Sequence, residues 1–141
     1  MPDRKSILPT FLVVMLIFQT LGCGMSGSNS NRVLQSLAVT PATADAQSSA
    51  NGQVQFTATG TFSKAPSPSL VTFVAPYSGG WQVSDPTVAT LLATGTGTAT
   101  VQCAPGASGG VTITAMASAN AAMGTQATGV ATVGKATLTC P

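Results

Sequence analysis

The chain has 141 residues, room for one domain, with five Lys+Arg, three Asp, no His, no Glu and a formal net charge of +2. No imidazole-dependent nucleophilic centre can be built from it, a carboxylate pair would need two of Asp3, Asp45 and Asp85, a zinc site would need three scattered cysteines, and five basic residues make no stripe for nucleic acid. With 44% hydrophobic residues, little charge, strand-favouring Thr and Val, and 15 Gly and 9 Pro to mark turns, the composition predicts an all-β domain that is no enzyme and holds no cofactor or metal.

Arg4 and Lys5 precede an apolar run over residues 7–18, relieved only by Pro9 and Thr10. These 12 residues fall short of the roughly 20 that a helix needs to cross a bilayer. A basic start and a run of this length have the form of a secretory signal. Thr20-Leu21-Gly22-Cys23 then opens into a Ser/Gly/Asn stretch. This resembles the lipobox of bacterial lipoproteins, with Thr20 standing where that family usually has Leu. The resemblance implies a signal peptide over 1–22, lipidation of Cys23 as the first mature residue, and a flexible tether over 23–32. Gly24, in place of an Asp that would favour inner-membrane retention in some bacteria, implies the outer membrane or cell surface. Two other outcomes stay open: cleavage after a small residue such as Gly24, leaving a periplasmic or secreted protein, and an uncleaved anchor.

Three cysteines are an odd number for an exported chain. If Cys23 carries lipid, Cys103 and Cys140 are left over, and an oxidising compartment would join them in a disulfide. The alternative is two free thiols, with Cys103 a small core residue.

Strand signals begin at Leu34, where Leu37 and Val39 alternate with Ala38 and Thr40 up to Pro41. Residues 42–52 carry no hydrophobic period and end in the turn pair Asn51-Gly52. The clearest alternation follows: Val54, Phe56, Ala58, Gly60 and Phe62 face one way, and Gln53, Gln55, Thr57, Thr59 and Thr61 the other. Residues 63–79 read as irregular, with Pro66, Pro68 and Pro76 around a short apolar piece at 70–74. Trp81 and Val83 begin a strand, Asp85-Pro86 turns, 88–92 is another strand, and Gly95 and Gly97 punctuate. Ala99, Val101 and Cys103 share a face. After a loop at 105–110, Val111, Ile113, Ala115 and Ala117 form the next inward row, and residues 119–124 read as a hairpin loop. In the last strand, over about 127–139, Ala131 and Val133 take one parity and Ala136, Leu138 and Cys140 the other, which predicts a bulge at Gly134. About seven strands at this spacing fit an immunoglobulin-like β-sandwich over residues 33–141, with Val54, Phe56, Trp81, Val101, Val111 and Ile113 buried.

The segment from Leu34 to about Val133 resembles the bacterial immunoglobulin-like group 2 domain of intimin- and invasin-type surface proteins. Leu37-Ala38-Val39-Thr40-Pro41 is similar to that family's first strand, and Gly52-Gln53-Val54-Gln55-Phe56-Thr57-Ala58-Thr59-Gly60 to its second. Trp81-Gln82-Val83-Ser84-Asp85-Pro86-Thr87-Val88-Ala89-Thr90 is similar to its Trp-x-Ser-Ser-Asp-Pro-x-Val-Ala-x signature, and Val111-Thr112-Ile113-Thr114-Ala115 to its penultimate strand. The longer Pro-rich stretch at 63–79, the interruption at 106–110 and the Cys103/Cys140 pair depart from the pattern. The resemblance implies a sandwich fold and surface location, and neither catalysis nor a particular ligand.

Candidate sites each have a plainer reading. Trp81 could stack on a sugar ring, but a strand Trp in such a fold fills the core. Tyr77, in the turn Pro76-Tyr77-Ser78-Gly79-Gly80, is the candidate ligand contact. Asp85 reads as a turn cap rather than a calcium ligand, and the Gly-rich loops as β-turns. The expected role is a monomeric, non-catalytic envelope lipoprotein, joined to the membrane by lipid and acting in adhesion, in binding a protein or polysaccharide, or as a spacer. The alternative is a structural subunit of an envelope or fibre assembly, joined through sheet edges.

Overall fold

A computed structural model describes residues 32–74, 77–119 and 131–141. Its strands are β1 (Leu34–Thr40), β2 (Thr43–Asp45), β3 (Gln53–Phe62), β4 (Ser69–Leu70), β5 (Tyr77–Val83), β6 (Ala89–Thr94), β7 (Thr98–Cys103), β8 (Gly109–Ala119) and β9 (Thr132–Cys140). One sheet runs β1-β3-β7-β6, with β4 beside the end of β3; the other runs β2-β9-β8-β5. Pairing is antiparallel throughout except for β2, which lies parallel to β9.

Seven long strands carry the sandwich, and β2 and β4 are short additions. Counted among the long strands alone, the first, second, fifth and fourth form one sheet and the seventh, sixth and third the other, which is the order of an immunoglobulin-like sandwich.

The alternation in β3 is the organising pattern. Phe56, Ala58, Gly60 and Phe62 are buried between the sheets, while Gln55 and Thr61 are exposed. Phe56, Val71, Val101, Val111, Ile113 and Leu138 are the largest fully buried side chains. Trp81 is buried as expected, with its ring edge-on to Phe73 at 5.7 Å. Val54 is only half-buried. It stands one residue into β3, beside the 3-10 turn at Ala50–Gly52, at the end of the strand rather than its middle.

Three local expectations are revised. Strand β5 begins at Tyr77, four residues earlier than Trp81, because its register with β8 runs unbroken from Tyr77–Ala119 to Val83–Ile113. Residues 43–52 are not featureless: they form β2 and two 3-10 turns, the first capped by the Asp45 carboxylate, which accepts from the Gln47 N–H at 2.9 Å. No bulge occurs at Gly134. Strands β8 and β9 pair in continuous register from Gly109–Cys140 to Ala117–Thr132. Gly134 itself is the inward residue, and Val133 is exposed. The inward row is therefore Gly134, Ala136, Leu138 and Cys140. It looks broken in the sequence because its first member has no side chain. A Cβ there would stand 2.8 Å from the Leu37 carbonyl oxygen of β1, so the two sheets approach too closely for anything larger. The loop expected at 119–124 and the start of the last strand lie largely outside the described residues.

Candidate functional site

The residues that lead into β1 form a polar cluster with the stretch after β3. Arg32, the first described residue, places its guanidinium 3.4 Å over the Phe62 ring. It donates to the carbonyls of Lys64 and Pro66 and to the Ser69 hydroxyl. One residue on, the Val33 N–H donates to the Ser63 hydroxyl and the Val33 carbonyl accepts from the Ser63 N–H, both at 2.9 Å. The Pro-rich stretch after β3 thus folds back around the incoming chain and supplies acceptors that a guanidinium can span with its several donors.

Tyr77 completes the cluster from the opposite sheet. Its ring packs on Phe62 at 5.5 Å with a 59° tilt, and its hydroxyl donates to the Arg32 carbonyl at 2.7 Å. Burial raises the phenol pKa above its ordinary value, with the nearby Arg32 charge acting in the opposite direction. The residue expected to meet a ligand is half-buried, and its hydroxyl is occupied within the fold. The arrangement ties the residues ahead of β1 to the Pro-rich stretch after β3 and to the start of β5. The sequence reading missed Arg32. A single Arg ahead of the first strand carries no pattern, and its partners lie more than 30 positions away.

The other candidates sit elsewhere. Asp85 caps the turn after β5: one carboxylate oxygen accepts from the Thr87 N–H at 2.9 Å and from the Thr87 hydroxyl at 2.6 Å. Those bonds favour the charged form and lower its pKa. The Gly95–Gly97 segment is a tight β6–β7 connection, closed by mutual backbone bonds of Gly95 and Thr98. Cys103 and Cys140 are disulfide-bonded, with Cα atoms 5.7 Å apart. Their bond ties the end of β7 to the end of β9, and so joins the two sheets. Antibody domains place their inter-sheet disulfide on the second and sixth strands, which here correspond to β3 and β8. Among the described residues, no group of three His, Cys, Asp or Glu is placed to hold a metal ion. Cys23, the signal expected over 1–22 and the expected tether up to residue 31 lie outside the described residues.

Comparison with family models and with curated proteins finds no match for this chain.

Proposed function

We propose that the chain is a non-catalytic lipoprotein of the bacterial cell envelope. In this reading it displays one immunoglobulin-like domain, of the group 2 kind, at the outer membrane or cell surface for adhesion, for binding a protein or polysaccharide, or for spacing. The observation that carries it is the order of parts along the chain. A lipobox-like Thr20-Leu21-Gly22-Cys23 is followed by a short polar tether, which enters a disulfide-stapled sandwich at the point gripped by Arg32 and Tyr77. A disulfide suits an exported protein, and acyl chains on Cys23 would supply about 0.8 kcal/mol of anchoring per buried methylene. The committed side chains of Asp85 and Tyr77 suit a structural module better than a reaction centre.

The test is fractionation of the full chain expressed in a bacterium with metabolic palmitate labelling. Wild type is expected in the membrane pellet, labelled and starting at Cys23; Cys23→Ser is expected unlabelled and soluble. A soluble wild type whose N-terminus lies beyond residue 23 overturns the lipoprotein assignment.

A further inference from the structure

The 3-10 turn ahead of β3 carries Asn51-Gly52, a pair with a chemistry of its own. The side-chain amide of an asparagine is an electrophile, and the backbone nitrogen of the next residue can attack it to close a five-membered ring. A glycine in that next position leaves the approach open, since it has no Cβ to stand in the way. Asn51 is exposed, so water reaches its amide. It also holds φ 57° and ψ 22°, a left-handed conformation uncommon outside glycine, and Gly52 follows with φ 63°.

That conformation keeps the two reacting groups apart. Ring closure needs the Gly52 nitrogen on the Cβ side of Asn51. A ψ of 22° turns that nitrogen toward the Asn51 nitrogen instead, away from the side chain. To bring the groups together, the peptide unit between Asn51 and Gly52 must rotate, and the fold holds that unit at both ends. Its carbonyl oxygen accepts from the Gln102 side-chain amide of β7 at 3.0 Å, and its N–H donates to the Ser49 carbonyl at 3.1 Å. The second bond also retains the proton that the nitrogen must lose in order to attack. Immediately after the turn the chain is fixed again: the Gln53 N–H donates to the Ala50 carbonyl, and β3 pairs with β7 from Gln53–Gln102 onward.

We propose that Asn51 is a latent deamidation site, shut in the folded domain by these two bonds and opened when the turn loosens. In the open turn the Gly52 nitrogen loses its proton and bonds to the Asn51 side-chain carbonyl carbon. The bond from that carbon to the amide nitrogen breaks, and the departing nitrogen takes up a proton and leaves as ammonia. Water then opens the ring. Attack at the side-chain carbonyl gives aspartate, and attack at the backbone carbonyl gives isoaspartate, in which the chain runs through the former side chain. Water is the co-reactant, and nothing is oxidised or reduced. Loss of ammonia makes the step one-way. Either product adds a negative charge to the loop that already carries Asp45, and isoaspartate lengthens the backbone by one carbon inside a turn closed by short-range bonds. Local opening is a normal motion of turns, so the product accumulates as a covalent record of how often this one has opened. The inference does not depend on the lipid anchor.

The test follows residue 51 by peptide-resolved mass spectrometry in the full chain, purified in neutral detergent and kept at mildly alkaline pH for days to weeks. Folded protein is compared with the same chain unfolded in guanidinium chloride, its disulfide reduced. The unfolded chain is expected to gain the amide-to-acid mass shift at this position, with isoaspartate separated from aspartate by chromatography. The folded chain is expected to gain it at least about tenfold more slowly, because reaction waits on local opening. This comparison needs no variant. Gln102→Ala then removes one hold on the rotating peptide unit, and should speed conversion severalfold in the folded protein while leaving the unfolded rate unchanged. Thr100→Ala, also on the outward face of β7 but without a bond to the turn, should match wild type in both states. Equal rates in folded and unfolded wild type, or an unfolded chain that keeps its amide, overturn the proposal. So does a folded Gln102→Ala chain that converts no faster than Thr100→Ala.

Discussion

The Tyr77 hydroxyl donates to the backbone carbonyl of Arg32 at 2.7 Å and so ties the first residue of β5 to the residue that leads into β1. These strands belong to opposite sheets, and the bond crosses the end of the sandwich. Tyr77→Phe keeps the ring on Phe62 and removes only the donor, leaving the carbonyl without it. We expect a loss of about 1 kcal/mol in urea unfolding. The phenol pKa is raised in the folded state by burial, so its contribution to stability is complete below the ordinary tyrosine range and is lost as pH rises through the folded value. Wild type should therefore lose stability at strongly alkaline pH more steeply than Tyr77→Phe, as followed by melting temperature.

Gly134 makes the close approach of the sheets possible. Its hydrogen faces the Leu37 carbonyl, where a Cβ would stand at 2.8 Å, with the Leu37 carbonyl carbon at 3.1 Å and a Val39 methyl at 3.2 Å. The obstacle is mostly backbone and cannot rotate away. Gly134→Ala is expected to destabilise by about 1–3 kcal/mol, in the range of overpacked cores, although alanine suits a strand better than glycine. An alanine variant as stable as wild type in denaturant unfolding would mean that β1 and β9 separate at little cost.

The long strands were legible because their burial alternates. The inward rows of β3, β7 and β8 follow Phe56, Val101 and Ile113 as the sequence suggests. What escaped was set by partners distant in the chain. Gly134 reads as a break because its inward role depends on Leu37 of the other sheet. The two short strands and the Arg32 cluster depend on loop paths that no period encodes. Tyr77 stood out as an aromatic in a turn, but only the fold shows its hydroxyl bonded to Arg32.

Phe56 is fully buried in β3, at the centre of the sandwich, beside Ala99 of β7. Phe56→Ala removes a ring that no neighbour can replace and should cost about 3–5 kcal/mol. Val54→Ala, two residues away but only half-buried, should cost clearly less. Equal losses at the two positions in urea unfolding would contradict the burial pattern of β3.

Asp85 gives an acid-side dependence of opposite sign to that of Tyr77. Its carboxylate accepts from both the hydroxyl and the N–H of Thr87, which depresses the folded pKa. Stability from this cap is present above the unfolded aspartate value and is lost as pH falls through the lower folded value. Asp85→Asn keeps an acceptor oxygen for the turn and removes the titration. Its melting temperature should therefore fall less than that of wild type between neutral and strongly acidic pH. A carboxyl titration followed by NMR should place Asp85 below the ordinary aspartate value.

The Cys103–Cys140 bond closes a loop with a sequence separation of 37 residues and links β7 to β9 across the sheets. On the chain-entropy model a loop of this length stabilises by roughly 4 kcal/mol. Cys140 is the last residue of β9, so the bond also holds that end of the strand to β7. The double variant Cys103→Ala/Cys140→Ala avoids a lone thiol and should lose roughly 3–4 kcal/mol in urea unfolding. The loss should appear first in hydrogen exchange of β9 amides, because that strand keeps only its ladder to β8 and its short parallel pairing with β2. In wild type, mass spectrometry under non-reducing conditions should show the bonded pair as a deficit of about 2 Da that disappears on reduction. Two alkylatable thiols at these positions in the folded, oxidised protein would contradict the staple. A double variant as stable as wild type would assign the holding of β9 to its packed row of Gly134, Ala136 and Leu138 instead.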